Sequence, residues 1–243
     1  MNRKLILFVV FNFVFIIILA VIQIVTKLGF DKITLPQFAQ TLAYLLTILL
    51  FKDLYKPIII KINKIILGKA FIAVIFPLVL FTLTCYIGKL FGISVKIQNN
   101  LFSILIISLF GIIIGAIAEE IGWRSFFQPT LEQKHSPFIS SLIVGLIWGI
   151  WHIGHFRNGL IFMLEFLVFT VSVSLIIVYL SRNTQFNIIL SSLFHVSINI
   201  GFTIFFYIGF ENIKLFLVNS FVWFMTAVII TIIGRKYYFI KAK

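Results

Sequence analysis

A chain of 243 residues that is 61% hydrophobic, 11% charged and has a mean hydropathy of +1.16 is not built for water, since about a quarter of the residues of a soluble domain carry charge. Its net charge of +13 does not mark a nucleic-acid binder: the lysines and arginines punctuate long apolar runs, where lipid headgroups lie, and form no basic-aromatic patch. The one cysteine, Cys85, sits inside an apolar run, cannot form an internal disulfide and reads as a core residue.

In chain order the sequence predicts eight membrane spans, at about 5–25, 37–51, 70–91, 101–128, 137–155, 160–180, 186–207 and 213–233. The first follows Met1-Asn2-Arg3-Lys4 in the manner of a signal peptide. It is too long for one and no small-x-small cleavage site follows, so it is expected to be retained. Between the second and third spans, Lys52, Lys56, Lys61, Lys64 and Lys69 alternate with isoleucines, as in a basic amphipathic stretch lying on a membrane surface. No repeat or linker divides the chain. The expected fold is all-α: a polytopic membrane helix bundle of about eight transmembrane helices, forming one integral membrane domain over 1–243.

Eight spans put both termini on one side. That side carries Arg3, Lys4, the five lysines above, Arg124, Lys134, Arg182, Arg235, Lys236, Lys241 and Lys243. The other side carries Lys27, Lys32, Lys89, Lys96, Arg157 and Lys214. Fourteen against six predicts cytoplasmic N- and C-termini.

Few acids are present. Asp31 and Asp53 lie beside lysines at span ends, Glu132 and Glu211 fall in loops, and Glu165 can snorkel from the sixth span. Glu119 and Glu120 differ, because they follow eighteen uncharged residues, Leu101 to Ala118. A charge at that depth costs about 3 kcal/mol or more, so such groups usually face the bundle interior and serve a purpose. Arg124 is one turn beyond Glu120 and can pair with it. Glu119 is left with less compensation and becomes the candidate general base.

In the fifth span, Ser141, Gly145 and Gly149 lead to His152. In the fourth, Gly111 and Gly115 lead to Glu119. Small residues at four-residue spacing allow close helix contact, so spans four and five are expected to meet and join Glu119 to His152. At ~1.5 Å per residue, however, Glu119 lies roughly 13 Å and His152 roughly 22 Å from the cytoplasmic ends of their spans. Tilt, or a fourth span continuing past Pro129, must close that gap. His155 reads as interfacial and His135 as a loop residue.

The seventh span repeats Asn187, Ser191, His195, Asn199 and Thr203 at every fourth position, on one slowly drifting face. Asn187, Ser191 and Thr203 are expected to make interhelical hydrogen bonds; for His195 that role and a catalytic one are both open.

A buried glutamate with two histidines and an asparagine can activate water and stabilise an oxyanion. Glu119, His152 and His195 can equally hold a zinc ion. Other intramembrane protease chemistries fit less well: His-Glu-x-x-His is absent, both aspartates lie outside the spans, and no Gly-x-Ser-Gly occurs. Ser191 and Ser192 are near His195 only by proximity in sequence.

Glu119-Glu120-Ile121-Gly122-Trp123-Arg124 resembles the Glu-Glu-x-x-x-Arg motif of the CPBP family, the CAAX proteases and bacteriocin-processing enzymes. Trp148-Gly149-Ile150-Trp151-His152 resembles its aromatic-x-x-x-His motif, and His195-Val196-Ser197-Ile198-Asn199 its His-x-x-x-Asn motif. The three occur in family order within 101–207, the expected catalytic core. The resemblance implies an eight-helix intramembrane endopeptidase like the type II CAAX prenyl endopeptidases. Glu119 with His152 would activate water, His195 and Asn199 would stabilise the tetrahedral intermediate, and Glu120 and Arg124 would support the site. The family is commonly labelled metalloprotease, which implies Zn2+, although a metal-free glutamate mechanism has been argued for its prenyl-protein members.

The expected partners are a peptide or protein substrate and the lipid bilayer. The expected setting is a bacterial cell membrane, with peptide maturation or self-immunity to bacteriocins as the role. Two other classes compete: a non-enzymatic immunity or scaffold protein, and a proton-coupled transporter. A peptidase needs its four side chains round one cavity open laterally or to the cytoplasm; a transporter needs a path to both faces.

Overall fold

The computed structural model describes residues 3–95, 100–206 and 212–240. Lys96, Glu211, Lys241, Lys243 and the last residue of the expected seventh span, 207, lie outside the described residues. Among the described residues the regular structure is helical throughout, without strands.

Helices α1 (Arg3–Val25), α3 (Lys64–Leu90), α7 (Leu160–Ser181), α8 (Ile188–Phe205) and α9 (Ile213–Ile233) are each long and apolar enough to cross a membrane. So is the continuous helix Leu101–Leu131. It comprises α4 (Leu101–Glu120), a π-helical segment (Ile121–Phe127) and α5 (Gln128–Leu131). Two apolar helices are shorter. One is α2 (Ala39–Leu50), preceded by a 3-10 turn, Leu35–Phe38; the other is α6 (Pro137–Trp151). The eight expected spans thus resolve into six long helices and two shorter ones. A short α10 (Arg235–Tyr238) follows α9.

Helix starts are set by local chemistry. Asn63, Ser136, Asn187 and Asn212 each accept a bond from a first-turn amide of α3, α6, α8 and α9, satisfying a donor that the helix leaves unpaired. Pro137 occupies the first turn of α6, where its missing N–H costs nothing.

The basic stretch expected at a membrane surface is a largely non-helical strap. Lys52–Leu54 form a 3-10 turn, residues 55–62 have no helix, and α3 begins at Lys64 rather than near 70. Pro57 denies a helix here. The strap gives its carbonyls to the bundle: Tyr44 Oη donates to Lys56 O at 2.8 Å, the Ile188 amide to Ile59 O at 3.0 Å, and Asn187 Nδ2 to Lys61 O at 2.8 Å. Lys4 pairs with Asp53 at 2.6 Å at the same end, and Lys69 Nζ donates to the carbonyls of Leu180 and Arg182. One end of the bundle is therefore rich in lysine.

The glycine stripes have partners other than those expected. A Cβ at Gly111 would collide with the backbone of Lys32 and Ile33, one at Gly115 with the Gln37 carboxamide, and one at Gly122 with Gln40. This face of α4 therefore seats residues 32–41, and Thr41 Oγ1 donates to Ala118 O at 2.6 Å. Gly145 and Gly149 instead admit α7, at Val171, Thr170 and Leu167. Glycine permits close approach without naming the partner, so spans four and five do not meet through their glycines.

The depth problem is closed by the helix running through Pro129 to Leu131. Glu119 then lies twelve residues from that end, roughly 18 Å, against roughly 22 Å for the fifteen residues of α6 before His152.

Candidate active site

Glu119 and Glu120 close α4, and the π-helical segment begins directly after them. π turns are rare and concentrate at functional sites. Here Gly122 through Phe127 are all buried, and Phe8 of α1 packs its ring on Trp123, Phe126 and Phe127. The segment carries Arg124 into the interior, 0% exposed.

The two acids have different surroundings. Glu120 is 0% exposed; its Oε1 accepts from His195 Nδ1 at 2.9 Å, and its Oε2 faces Arg124 Nε at 3.5 Å. The expected ion pair is present, and Glu120 also holds a histidine. Glu119 is 1% exposed, with both oxygens engaged by neutral donors. Gln37 Nε2 donates to Oε1 at 2.8 Å and Trp148 Nε1 to Oε2 at 2.9 Å. Glu119 thus has less charge compensation than Glu120: among the described residues no ion pair reaches it, and two neutral hydrogen bonds hold it.

Trp148 is the hub of the site. Besides its bond to Glu119, its ring lies 5.4 Å from the Arg124 guanidinium, 5.2 Å from the His195 ring and 6.2 Å from the His152 ring. His152 stands just beyond the last residue of α6. Its Nδ1 donates to Trp148 O at 2.8 Å, because a carbonyl only accepts; Nε2 of the neutral ring is thereby left with its lone pair. His155 stacks on His152 at 5.5 Å.

A cavity of about 930 Å3 joins part of this set. Glu119, Gln37, His152 and Asn199 lie on its wall, while Ile16, Ile17, Ala20, Val21 and Ile24 of α1 form an apolar side. It extends to the 30–34 loop and the 3-10 turn Ile153–Asn158, where Asp31, Lys32, His155 and Arg157 line it. These loops are at the end of the bundle opposite the lysine-rich strap. His195 lies behind this wall, between Glu120 and Trp148.

Sequence reasoning named Glu119, Glu120, Arg124, His152, His195 and Asn199, and the fold gathers them around Trp148 and the cavity. It passed over Gln37 and gave Trp148 no role. The available signal was an amide side chain within an apolar second span, since polar groups in lipid seek partners. Of the remaining polar stripe, Asn187 caps α8 and reaches the strap. Ser191 Oγ and Thr203 Oγ1 donate to carbonyls of their own helix rather than across helices.

The metal alternative can be tested on geometry. Among the described residues no three His, Cys, Asp or Glu side chains are grouped so as to hold an ion. Both oxygens of Glu119 face N–H donors, and His195 Nδ1 faces Glu120. As arranged, Glu119, His152 and His195 do not fit a shared zinc ion.

Residues 100–201 match the family model described as Type II CAAX prenyl endopeptidase Rce1-like. Among curated proteins, the chain is 27% identical over 104 residues to the CAAX prenyl protease 2 of Methanococcus maripaludis, covering 38% of this chain and 38% of that protein. It is 29% identical over 171 residues to the Lysostaphin resistance protein A of Staphylococcus aureus, covering 67% of this chain and 40% of that protein. The chain thus spans about two fifths of the length of the relatives it matches.

Proposed function

Since residues 100–201 place this chain in the CPBP family of CAAX-type intramembrane proteases, we propose that it is an endopeptidase that hydrolyses a peptide bond with a water held by Glu119 and His152. The observation that carries the reading is the cavity wall, on which Glu119, His152 and Asn199 face one apolar-sided space. Glu119 takes a proton from the water, His152 Nε2 accepts the other O–H, and the water oxygen bonds to the scissile carbonyl carbon. The carbonyl oxygen becomes an oxyanion stabilised by Asn199 Nδ2 on the wall and, from behind it, by the charge of a protonated His195 whose Nδ1–H is held by Glu120. Glu119 then delivers its proton to the departing nitrogen, and the C–N bond breaks.

No step is routed through a metal ion, because the three candidate ligands do not fit one as arranged. Activity is expected to survive a chelator; loss that zinc restores would replace this mechanism with a metal-dependent one. The transporter reading is disfavoured by packing. Beside Glu120, Phe8, Trp123, Phe126 and Phe127 are each 0% exposed, with Phe8 packed on the other three rings and Trp123 on Phe127, which obstructs a path to the lysine-rich face.

Among the described residues Arg3, Lys4, the five lysines from Lys52 to Lys69, Lys134, Arg182, Arg235 and Lys236 fall at the lysine-rich end, against Lys27, Lys32, Lys89, Arg157 and Lys214 at the other, and the first end is read as cytoplasmic. The cavity then opens away from the cytoplasm, and not toward it as one expectation had it. Peptides at the outer face of a cell membrane are the proposed substrates. A role in self-immunity is supported by the relative named for lysostaphin resistance. In a Cys85→Ser background, a cysteine at Gly154 should react with a membrane-impermeant maleimide in intact cells and one at Lys56 only after lysis. The reverse pattern overturns the orientation. For the activity, purified protein is offered a peptide library beside Glu119→Ala. Cleavage should vanish without loss of folding, and equal cleavage by both removes Glu119 from the mechanism.

A further inference from the structure

We infer that Gln37 is a positioning residue: seated over Gly115 by the turn that precedes α2, its carboxamide fixes the plane of the Glu119 carboxylate. The inference rests on the reading of Glu119 as the base. It concerns a residue outside the segment 100–201 that carries the three motifs.

The physical need is simple. The last torsion of a glutamate side chain is broad and nearly two-fold, so one hydrogen bond leaves the carboxylate free to swing. Two donors on two different oxygens remove that freedom. Trp148 supplies one and Gln37 the other, at 2.9 and 2.8 Å. An ionised carboxylate offers about four lone-pair sites; the two donors take one on each oxygen and leave the others for water. Both donors are neutral, so they orient the group without neutralising its charge.

The fold is arranged to deliver this contact. Pro36, the second residue of the 3-10 turn, is buried, and its ring limits the backbone choices just before Gln37. Gly111 admits the backbone of Lys32 and Ile33, so the whole segment lies close on α4. At Gly115 any Cβ would strike the Gln37 carboxamide. The glycine therefore leaves room for one particular side chain, and that side chain ends on Glu119. Gln37 also lines the cavity beside Glu119, so the clamp is at the place where substrate and water arrive.

Two variants test this from opposite sides. Gln37→Met keeps the length and bulk and removes both N–H donors. Gly115→Ala leaves Gln37 intact and displaces its flexible tip. Each should lower kcat roughly ten- to a hundred-fold, the value of a hydrogen bond to a charged group, with KM unchanged. The double variant should be no worse than either alone. A loss confined to KM makes Gln37 a substrate contact and overturns the inference, as does unchanged kcat in both variants. If the wild type cuts nothing, the peptidase reading fails. A double-mutant cycle on melting in detergent, Gln37→Met against Glu119→Ala, then decides the clamp by itself. Coupling between the two upholds the contact, and additivity overturns it.

Discussion

Glu119 and Glu120 are consecutive and equally buried, yet they belong to two different regions. Around Glu120 the bundle is ionic: a guanidinium and an imidazole share one carboxylate, closed off by the rings of the π-helical segment. Around Glu119 the partners are neutral: an amide and an indole hold the carboxylate at the wall of a cavity. A helix turns by about 100° per residue, so neighbouring acids can be given separate tasks. A charge paired with charges is fixed and spent on structure. A charge held by neutral donors keeps its capacity to take a proton.

The comparison can be broken most directly at Glu119. Replacing it with glutamine should lower kcat by about 10²–10⁴, the usual share of a general base, while the melting temperature in detergent stays near wild type. A large fall in melting with activity retained would reverse the two assignments. On the ionic side, Arg124→Met leaves Glu120 with His195 as its one charged partner among the described residues and should cost up to about 3–5 kcal/mol of stability, read by thermal or denaturant melting in detergent. Unchanged melting would show that the pair is not structural.

Glu132 sharpens the contrast as a third carboxylate, beyond the end of α5 and outside the spans. Burial pushes its pKa up to about 7, and a hydrogen bond from Gln128 Nε2 at 2.7 Å offsets only part of that. A carboxylate raised in the folded state penalises folding once the unfolded chain can ionise. Stability should therefore fall as pH rises from about 4.5 to about 7, by about 3 kcal/mol in total, and level off above. Glu132→Gln should flatten that slope; a slope that persists assigns it to other groups. The smallest effect is expected at the boundary between the two regions. Trp148→Phe retains the ring that Arg124 and His195 pack against and deletes the donor to Glu119. It should lower kcat roughly tenfold with little change in stability, measured side by side on the purified proteins.

Much of the site was legible before any coordinates. Glu119, Glu120 and Arg124 stood out because ionised groups in a long apolar run need a reason, and the spacing of Glu120 to Arg124 matched a helical turn. His152, His195 and Asn199 were legible by motif order. The small-residue stripes were read correctly as places of close approach, but their partners were not. Gly115 receives Gln37, and Gly149 receives α7. Gln37 itself was passed over because an uncharged amide in an apolar run costs less than a charge and draws less notice. The π-helical segment left no clear sign in the sequence either, since its residues have no special propensity and pack on the ring of Phe8 from α1.

What the amino-acid order determined by itself is the helical class of the chain, its affinity for lipid, and which side chains are too polar to be there idly. These follow from local terms: the period of a helix, and the cost of moving a charge out of water. What only the tertiary structure decided is which donors reach which carboxylate, and that the cavity extends to the loops at the end opposite the strap. Those depend on which surfaces meet, and helix surfaces in lipid choose partners by mutual fit across the whole bundle rather than by a driving force that any one segment carries.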